Sequence, residues 1–219
     1  MQLILLTLFP DYFSSVFSTS IIKRAIEAEK LSISVVNIRD FAQDKHHVTD
    51  DRPYGGGPGM VMKIEPIDLA LQYCRTKLVP EGVTPFIVLT SAKGAAFTQQ
   101  TAVEWSAKAS IIMICGHYEG VDERVAQQLV DAEVRVGDFV LTGGEPAVAV
   151  MADAVCRLLP GVLGNELSTK GESHESPGQL GFPQYTRPEV YREWPVPSQL
   201  LSGNHADIQA WREAQRATE

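Results

Sequence analysis

The chain has 219 residues, of which 44% are hydrophobic and 21% are charged, and its formal net charge is −8. This mixture is too apolar for a disordered protein and suffices for one sizeable core with a smaller second domain. The acidic balance disfavours an extended polyanion-binding surface, because phosphate contacts need clustered lysine and arginine. Any nucleic-acid site must therefore be a local patch.

Two features of the sequence bear on the compartment. The cysteines Cys74, Cys115 and Cys156 are widely spaced and contain no Cys-x-x-Cys pair, which predicts neither a disulfide framework nor a zinc cluster and is typical of a reducing cytoplasm. The apolar start, Leu3–Phe9, lacks a preceding basic region and is too short to cross a bilayer. We interpret it as a buried first strand and expect a cytoplasmic protein with no membrane partner.

Short apolar runs alternate with amphipathic stretches over most of the chain. The runs typical of strands are Leu3–Leu8, Ile33–Ile38, Pro85–Thr90, Ser110–Cys115 and Ala132–Val136. The stretches typical of helices are Ser20–Lys30, Pro66–Lys77, Thr98–Lys108, Asp122–Asp131 and Ala147–Leu159. Since strands that are apolar on both faces belong to parallel sheets covered by helices, the alternation predicts an α/β fold of that kind.

The last part of the chain has a different pattern. Pro160–Gly181 is rich in glycine, serine, proline and charge, which predicts an exposed linker. Beyond it, Pro188–Tyr191 and Asn204–Ala214 are predicted as short helices, the second with Asn204 as its N-cap. These elements are too few to fold alone.

Three of the predicted strands end in loops punctuated by glycine. These loops are Leu89–Gly94, Cys115–Gly120 and the end of Val134–Pro146, where Gly143 and Gly144 are adjacent. Ligands of parallel sheets bind at the carboxyl ends of the strands, and glycine lets bare backbone approach a ligand. The spacing therefore predicts that the three loops converge on one small molecule.

Common phosphate, nucleotide and hydrolase motifs are missing from the sequence. The glycine-rich segment Gly55–Met60 lacks the Gly-Lys-Ser/Thr of a P-loop, and no Gly-x-Gly-x-x-Gly opens a helix after a strand. Neither Gly-x-Ser-x-Gly nor His-Glu-x-x-His occurs, which disfavours serine hydrolases and zinc proteases. The adjacent His46 and His47 have no evident carboxylate or thiol partner, so we predict no metal site.

Six longer segments carry a more specific pattern. They are Asp50–Met60 (DDRPYGGGPGM), Cys115–Val125 (CGHYEGVDERV), Gly137–Glu145 (GDFVLTGGE), Arg157–Gly164 (RLLPGVLG), Pro183–Val190 (PQYTRPEV) and Leu201–His205 (LSGNH). In content and order these segments resemble the bacterial tRNA (guanine-N1)-methyltransferase family, TrmD. Six motifs in one order are far more specific than any single glycine loop.

The resemblance implies a SPOUT-type methyltransferase. The implied fold is α/β, with a parallel sheet flanked by helices and a C-terminal trefoil knot formed by the three glycine loops, plus a short helical C-terminal segment. The implied domains are a SPOUT methyltransferase domain over 1–160, an interdomain linker over 161–181 and a helical C-terminal domain over 182–219. Family members usually extend well beyond the Trp211-Arg212 pair, so we expect that last domain to be abbreviated.

The resemblance also implies S-adenosylmethionine as cofactor, held at the interface of a homodimer, and it makes Mg²⁺ a second candidate cofactor. The implied cofactor-binding residues are Leu89, Thr90, Ser91, Gly116, Tyr118, Glu119, Val136, Gly137, Asp138, Phe139, Val140, Leu141, Gly143 and Gly144. Two departures bear on this pocket: Ala92 stands where the family commonly has proline, and Pro146-Ala147 stands where Leu-Pro is common. We expect both to reshape the pocket slightly.

Two catalytic residues follow from the resemblance. Guanine N1 carries a proton near neutral pH, so attack on the sulfonium methyl group needs a base, and charge developing towards O6 needs a cation or donor. In the family, an arginine at a helix end steadies the guanine, and Arg157 matches it. The family base is an aspartate in the linker. Counting from Gly164 places it on Glu172, whereas counting back from Pro183 places it on Ser173.

We choose Glu172 as the base because it keeps a carboxylate at that position, with one extra methylene that a linker can absorb, although a small misplacement of a base can cost a large factor in rate. Glu175 is the alternative carboxylate. His174 is a further alternative, because imidazole is a common general base.

The implied substrate is tRNA, methylated at N1 of the guanosine 3′ of the anticodon, position 37. A base in a single-stranded loop can be extruded into a pocket at modest cost. The candidate substrate-binding residues are Arg52, Tyr54, Gly55, Gly59 and Arg187, with Lys63 and Arg192 as further phosphate contacts. A non-catalytic tRNA- or nucleotide-binding relative stays open as the alternative, and the missing P-loop speaks against a phosphotransferase.

Overall fold

Five parallel strands form the central sheet of a computed structural model, which describes residues 1–164 and 171–216. The chain divides into two compact units, Met1–Gly164 and Asn165–Glu219. In chain order the strands of the first unit are β1 (Gln2–Thr7), β2 (Ser32–Asn37), β3 (Asp50–Asp51), β4 (Val61–Met62), β5 (Phe86–Ala96), β6 (Ser110–Ile114) and β7 (Ala132–Arg135). Its α-helices are α1 (Phe13–Val16), α2 (Ser20–Glu27), α3 (Ile64–Tyr73), α4 (Gln99–Ser106), α5 (Glu123–Gln128) and α6 (Glu145–Cys156).

The order of strands across the sheet is β2-β1-β6-β5-β7, and every neighbouring pair is parallel. The short strands β3 and β4 pair with each other in an antiparallel hairpin. All five predicted strands are present, and the predicted parallel α/β sheet is confirmed. Because the strands are parallel, the loops that follow β5, β6 and β7 leave the sheet at one edge.

Successive residues of β1 show why the sheet is covered on both faces. Leu3 and Leu5 belong to a core shared with α1, α2, α4 and α6, whereas Ile4 and Leu6 belong to a second core shared with α3 and α5. All four side chains are fully buried. Alternating side chains point to opposite faces of a strand, so a run that is apolar throughout contributes to both cores. Each such burial contributes about 1.5–3 kcal/mol.

Most elements differ from the predicted bounds by a few residues, and two of these differences lie next to the glycine loops. β5 continues to Ala96 instead of ending at Thr90, and its pairing with β7 shifts register between Thr90 and Ala95. This bulge-like irregularity leaves residues 91–94 of β5 without partners in the register with β7. α6 begins at Glu145, two residues before the predicted start, because Pro146 is tolerated in the first turn of a helix.

The second unit contains β8 (Val190–Tyr191), β9 (Trp194–Pro195), α7 (Ser198–Leu201) and α8 (His205–Ala214). The prediction of a helix over Pro188–Tyr191 is wrong. β8 and β9 form an antiparallel hairpin there, and the Tyr191 and Trp194 rings lie 5.9 Å apart across it. Aromatic and β-branched side chains favour such pairing over a single helical turn.

The helix predicted near the C-terminus is confirmed as α8. The Asn204 side chain accepts a hydrogen bond from the Ala206 backbone N–H at 3.0 Å, as expected of an N-cap. Across the two described ranges, the helices are all too short or too polar to cross a lipid bilayer.

Candidate functional site

A cavity of about 500 Å³ opens where β5, β6 and β7 end. Its wall is built mainly from the three glycine loops: Leu89–Lys93, Gly116–Val121 and Val134–Gly144 without Asp138. Glu123, Ala126, Glu133 and Ala147 complete it. The volume lies within the range of sites that hold cofactors and other small molecules. The loops that the sequence grouped together therefore surround one cavity.

The predicted cofactor-binding residues lie in this wall, with one exception. Asp138 is outside it, and its carboxylate accepts a hydrogen bond from the Arg135 Nε at 2.8 Å. The same guanidinium donates to the Gly94 backbone carbonyl at 2.5 Å. Asp138 thus steadies the arginine that joins the third loop to the first.

Hydrogen bonds join the three loops. The Gly144 N–H donates to the Gly116 carbonyl at 2.7 Å, and the Gly116 N–H donates to the buried Thr90 hydroxyl at 3.0 Å. The Thr90 hydroxyl in turn donates to the Ile114 carbonyl at 3.1 Å. A Cβ at Gly144 would lie 2.8 Å from the Cys115 Cα and closer still to the Thr90 hydroxyl. Gly144 is therefore required by the contact between loops, which is a different reason from the predicted approach of bare backbone to a ligand.

Several cavity residues were missed by the sequence reasoning. Lys93, at the cavity mouth, forms an ion pair with Glu123 on α5 and lies 3.9 Å from Glu133 on β7. The hydrogen bond to Glu123 raises the pKa of Lys93 above its usual range. His117 also lies in the wall. Its position between Gly116 and Tyr118, both of which were chosen, was the available signal.

The N-terminus of α5 is set by a charged pair. Asp122 caps the helix by accepting from the Arg124 backbone N–H at 3.0 Å, and it also pairs with the Arg124 side chain at 2.7 Å. This side-chain hydrogen bond holds the pKa of Asp122 below its usual value. The pair fixes the helix that supplies Glu123 to the cavity.

The glycine-rich segment Tyr54–Met60 lies against the second glycine loop. The Glu119 N–H donates to the Met60 carbonyl at 3.0 Å, and the Met62 N–H donates to the Gly120 carbonyl at 2.9 Å. Gly59, with φ of +76°, approaches the Glu119 side chain so closely that a Cβ would collide with it. The segment that contains the predicted substrate residues Tyr54, Gly55 and Gly59 therefore lies against a loop of the cavity wall.

The other predicted substrate residues of this unit lie on its surface. Tyr54 has a fully exposed side chain, and Arg52 and Gly55 are exposed as well. Arg187, in the second unit, is also exposed. None of the four packs into a core, so all four are accessible to a partner.

The two candidate catalytic residues lie in separate units. Arg157 is half-buried at the C-terminal end of α6, where its backbone N–H donates to the Asp153 carbonyl at 3.1 Å. Glu172 is half-buried, and its carbonyl accepts from the Glu175 N–H at 3.4 Å. Arg157 and Glu172 both have side-chain or electrostatic partners.

The alternative bases are held by local structure. The Glu175 carboxylate accepts from the Gly171 N–H at 2.5 Å. The backbone of His174 has a φ of +65°, and its N–H donates to the Gln179 carbonyl at 2.6 Å. The Ser173 hydroxyl accepts from the Gly181 N–H at 2.9 Å. The part of the predicted linker from residue 171 to residue 181 is thus a looped segment closed by its own hydrogen bonds. Residues 165–170 of the predicted linker lie outside the described residues.

No group of three or more histidine, cysteine, aspartate or glutamate side chains within residues 1–164 and 171–216 is placed to hold a metal ion. The three cysteines in these ranges are buried and free. Burial raises the pKa of Cys74 to about 11 and that of Cys156 to about 12. A Mg²⁺ site made by protein side chains alone does not fit the described residues.

Comparison with known proteins agrees with the motifs. The whole chain, residues 1–219, matches the family model described as tRNA (Guanine-1)-methyltransferase TrmD. The tRNA (guanine-N(1)-)-methyltransferase of Dehalococcoides mccartyi (strain CBDB1) is 50% identical over 213 residues, covering 97% of this chain and 84% of that protein.

Two further relatives carry the same name. The Caldanaerobacter subterraneus subsp. tengcongensis protein is 52% identical over 207 residues, covering 94% of this chain and 83% of the relative. The Staphylococcus aureus (strain JH9) protein is 50% identical over 216 residues, covering 99% of this chain and 86% of the relative. The resemblance predicted from six motifs is confirmed, and the chain belongs to the tRNA (guanine-1)-methyltransferase TrmD family.

Proposed function

We propose that the protein transfers the methyl group of S-adenosylmethionine to N1 of the guanosine immediately 3′ of the anticodon in tRNA. Membership of the family over residues 1–219 carries this proposal. Relatives about half identical over almost the whole chain are named for guanine-N1 methylation of tRNA, which disfavours a non-catalytic relative. The cavity at the carboxyl edge of the sheet provides a place for the cofactor.

The chemistry of the cavity wall suits S-adenosylmethionine, which supplies an electrophilic methyl group on a sulfonium cation. The wall also offers apolar contacts for the planar adenine of this cofactor, from Leu89, Val136 and Leu141. Glu119 also lies in the wall, where its negative charge favours a cationic ligand. The carboxylate of Glu123 is paired with Lys93. We assign cofactor binding to the predicted residues of the three loops, with Asp138 acting through Arg135.

We further propose that the three loops form the trefoil knot of the SPOUT class and that the cavity is completed in a homodimer. The close backbone contacts between the second and third loops are what a knotted crossing requires. Phe139 and Val140, on the third loop, have 57% and 84% of their surface exposed. Exposed apolar side chains grouped at a cavity rim are typical of a protein interface.

In the reaction, Glu172 accepts the N1 proton of guanine, and the Arg157 guanidinium stabilises the negative charge that develops towards O6. Both roles rest on the match to the family motifs. Tyr54, Gly55 and Gly59 border the target base, and Arg52 and Arg187 contact backbone phosphates. This places the chemistry in the methyltransferase domain and the linker, 1–160 and 161–181, and divides tRNA binding between the methyltransferase domain and the C-terminal domain, 182–219.

Residues 1–164 and 171–216 provide no ligand cluster for Mg²⁺, and the proposed reaction does not use the ion. A magnesium ion that takes part would have to keep most of its waters and use substrate oxygens. We place the activity in the cytoplasm, where the buried thiols of Cys74, Cys115 and Cys156 would stay reduced.

The direct test is label transfer. Purified protein is incubated with S-adenosylmethionine labelled in the methyl group and an unmodified tRNA transcript that has guanosine after the anticodon. We expect label in 1-methylguanosine after nuclease digestion. The matched control transcript differs only in carrying adenosine at that position and should acquire no label.

A result of saturable cofactor binding without label transfer would contradict the proposal and establish the non-catalytic alternative. Label appearing equally in both transcripts would contradict the assigned target base. Removing divalent ions with a chelator in the same assay tests whether Mg²⁺ takes part.

A further inference from the structure

A buried carboxylate beside the cavity has no part in the mechanism above. Glu145, the first residue of α6, has 3% of its surface exposed and is the one acidic residue buried within residues 1–164 and 171–216. An ionised carboxylate inside a protein is costly unless polar partners compensate for the lost water. The partners of Glu145 therefore indicate what it does.

Two side chains from different segments meet this carboxylate. The Thr7 hydroxyl, at the end of β1, donates to Oε1 at 2.7 Å. The Nε2 of His117, in the second glycine loop, lies 3.5 Å from Oε2. The N-terminal end of α6 further favours a negative charge. Glu145 thus joins the sheet, the second loop and the helix that follows the third loop.

The His117 ring is closely packed between the second and third glycine loops. His117 forms a β-bridge with Gly143 of the third loop, and a Cβ at Gly143 would collide with the His117 ring. Phe9 packs against the His117 ring, with ring centroids 4.9 Å apart. His117 also lines the cavity. A displacement of its ring would therefore change the spacing of the cavity wall.

We propose that Glu145 is a positioning residue for cofactor binding, which acts by holding the His117 imidazole, with a proton on Nε2, against the third loop. A carboxylate opposite Nε2 favours that tautomer. The pair sets the distance between the second and third loops before the cofactor enters, which reduces the ordering required on binding. This inference rests on the proposed function for the identity of the cofactor.

The test is a double-mutant cycle read on S-adenosylmethionine affinity by calorimetry, with no tRNA present. Glu145→Gln keeps the size of the side chain and an acceptor for Thr7 but removes the charge facing His117. We expect the dissociation constant to rise about tenfold. In a His117→Phe background, Glu145→Gln should raise the dissociation constant less than about twofold, because the imidazole that Glu145 holds is already absent.

Two matched variants separate positioning from general stability. Glu104→Gln makes the same chemical change on the exposed surface of α4 and should leave affinity and melting temperature unchanged. His117→Gln restores a donor near Nε2 and should recover part of the affinity lost in His117→Phe. All affinities are measured well below the melting temperature of the least stable variant.

An unchanged dissociation constant in Glu145→Gln would overturn the inference. An equal loss of affinity in the parent and in the His117→Phe background would also overturn the inference, since Glu145 would then not act through His117. If the parent binds S-adenosylmethionine but labels no tRNA, the proposed function fails while the cycle still tests Glu145. If the parent does not bind S-adenosylmethionine, both the proposed function and the positioning role of Glu145 are contradicted.

Discussion

The cavity of residues 1–164 and the looped segment 171–181 obtain their shape in different ways. Around the cavity, hydrogen bonds join three loops that follow the strands of the sheet. Every residue of one of these strands, β6, is buried. From residue 171 to residue 216, no described residue is buried. The looped segment closes through its own polar contacts, such as that of Gly181 with Ser173.

This difference separates what packing can determine from what it cannot. The cavity geometry is tied to the global stability of the sheet, because moving one loop breaks contacts with the others. The position of a catalytic side chain on the looped segment would depend on a few local hydrogen bonds and on contacts with the bound substrate. Cofactor binding and catalysis should therefore respond separately to mutation.

The largest expected effect tests this separation at Glu172. Glu172→Gln keeps the size of the side chain but cannot accept a proton, so we expect kcat to fall on the order of 10²–10⁴-fold. The dissociation constant of S-adenosylmethionine should stay within about twofold of that of the parent, because Glu172 lies outside the cavity wall. Single-turnover methyl transfer and calorimetry measure the two quantities.

Glu175→Gln and His174→Asn are the matched controls in the same segment, and both should retain most of the turnover. A collapse in Glu175→Gln with near-parental turnover in Glu172→Gln would move the base to Glu175. Loss of cofactor affinity in Glu172→Gln would break the proposed separation between the two regions.

Hydrophobic periodicity was sufficient to predict the five strands, since runs such as Leu3–Leu8 have one stable environment, a sheet covered on both faces. Periodicity could not predict the bulge of β5, because the apolar run ends at Thr90 while pairing resumes at Ala95. The hairpin of Val190–Tyr191 was missed for a similar reason. Four residues carry too little periodic signal to separate a helical turn from a strand.

An intermediate effect is expected at Gly144, where the loops meet. Gly144→Ala places a methyl group against the Thr90 hydroxyl and the Cys115 Cα, so backbone must shift. We expect about 1–3 kcal/mol lower free energy of unfolding and a matching loss of cofactor affinity. Urea denaturation and calorimetry measure the two effects.

Gly164→Ala is the matched control, since a Cβ there meets no atom within 4 Å and the residue lacks a positive φ. Gly164→Ala should change neither the free energy of unfolding nor the cofactor affinity measurably. If Gly144→Ala is as stable as the parent and binds the cofactor normally, the close contact between loops does not fix the cavity.

The motifs located the cavity but not its polar support. Gly143, Gly144 and Gly116 could be grouped from spacing alone, because each follows a predicted strand. Glu145 and Thr7 meet across 138 positions of sequence, and such a long-range hydrogen bond leaves no local pattern. The proposed catalytic base was equally hard to assign, since counting from the two ends of the predicted linker gives different residues.

The smallest expected effect concerns the ion pair at the cavity mouth. Lys93→Met removes the cation that faces Glu123 and Glu133, and we expect the dissociation constant of S-adenosylmethionine to change by no more than about fivefold. Glu123 raises the pKa of Lys93 in the folded state. The contribution of the pair is therefore complete below the unfolded pKa of lysine and disappears as the pH rises through the higher folded value.

The effect of Lys93→Met should accordingly be constant between about pH 7 and pH 9, where lysine stays protonated, and should shrink with added salt, which screens exposed charges. Lys108→Met, an exposed lysine outside the cavity wall, is the matched control. A large effect that salt does not reduce would mean that Lys93 contacts the cofactor itself. The cavity would then depend on an exposed side chain as the looped segment does, and the contrast between the two regions would weaken.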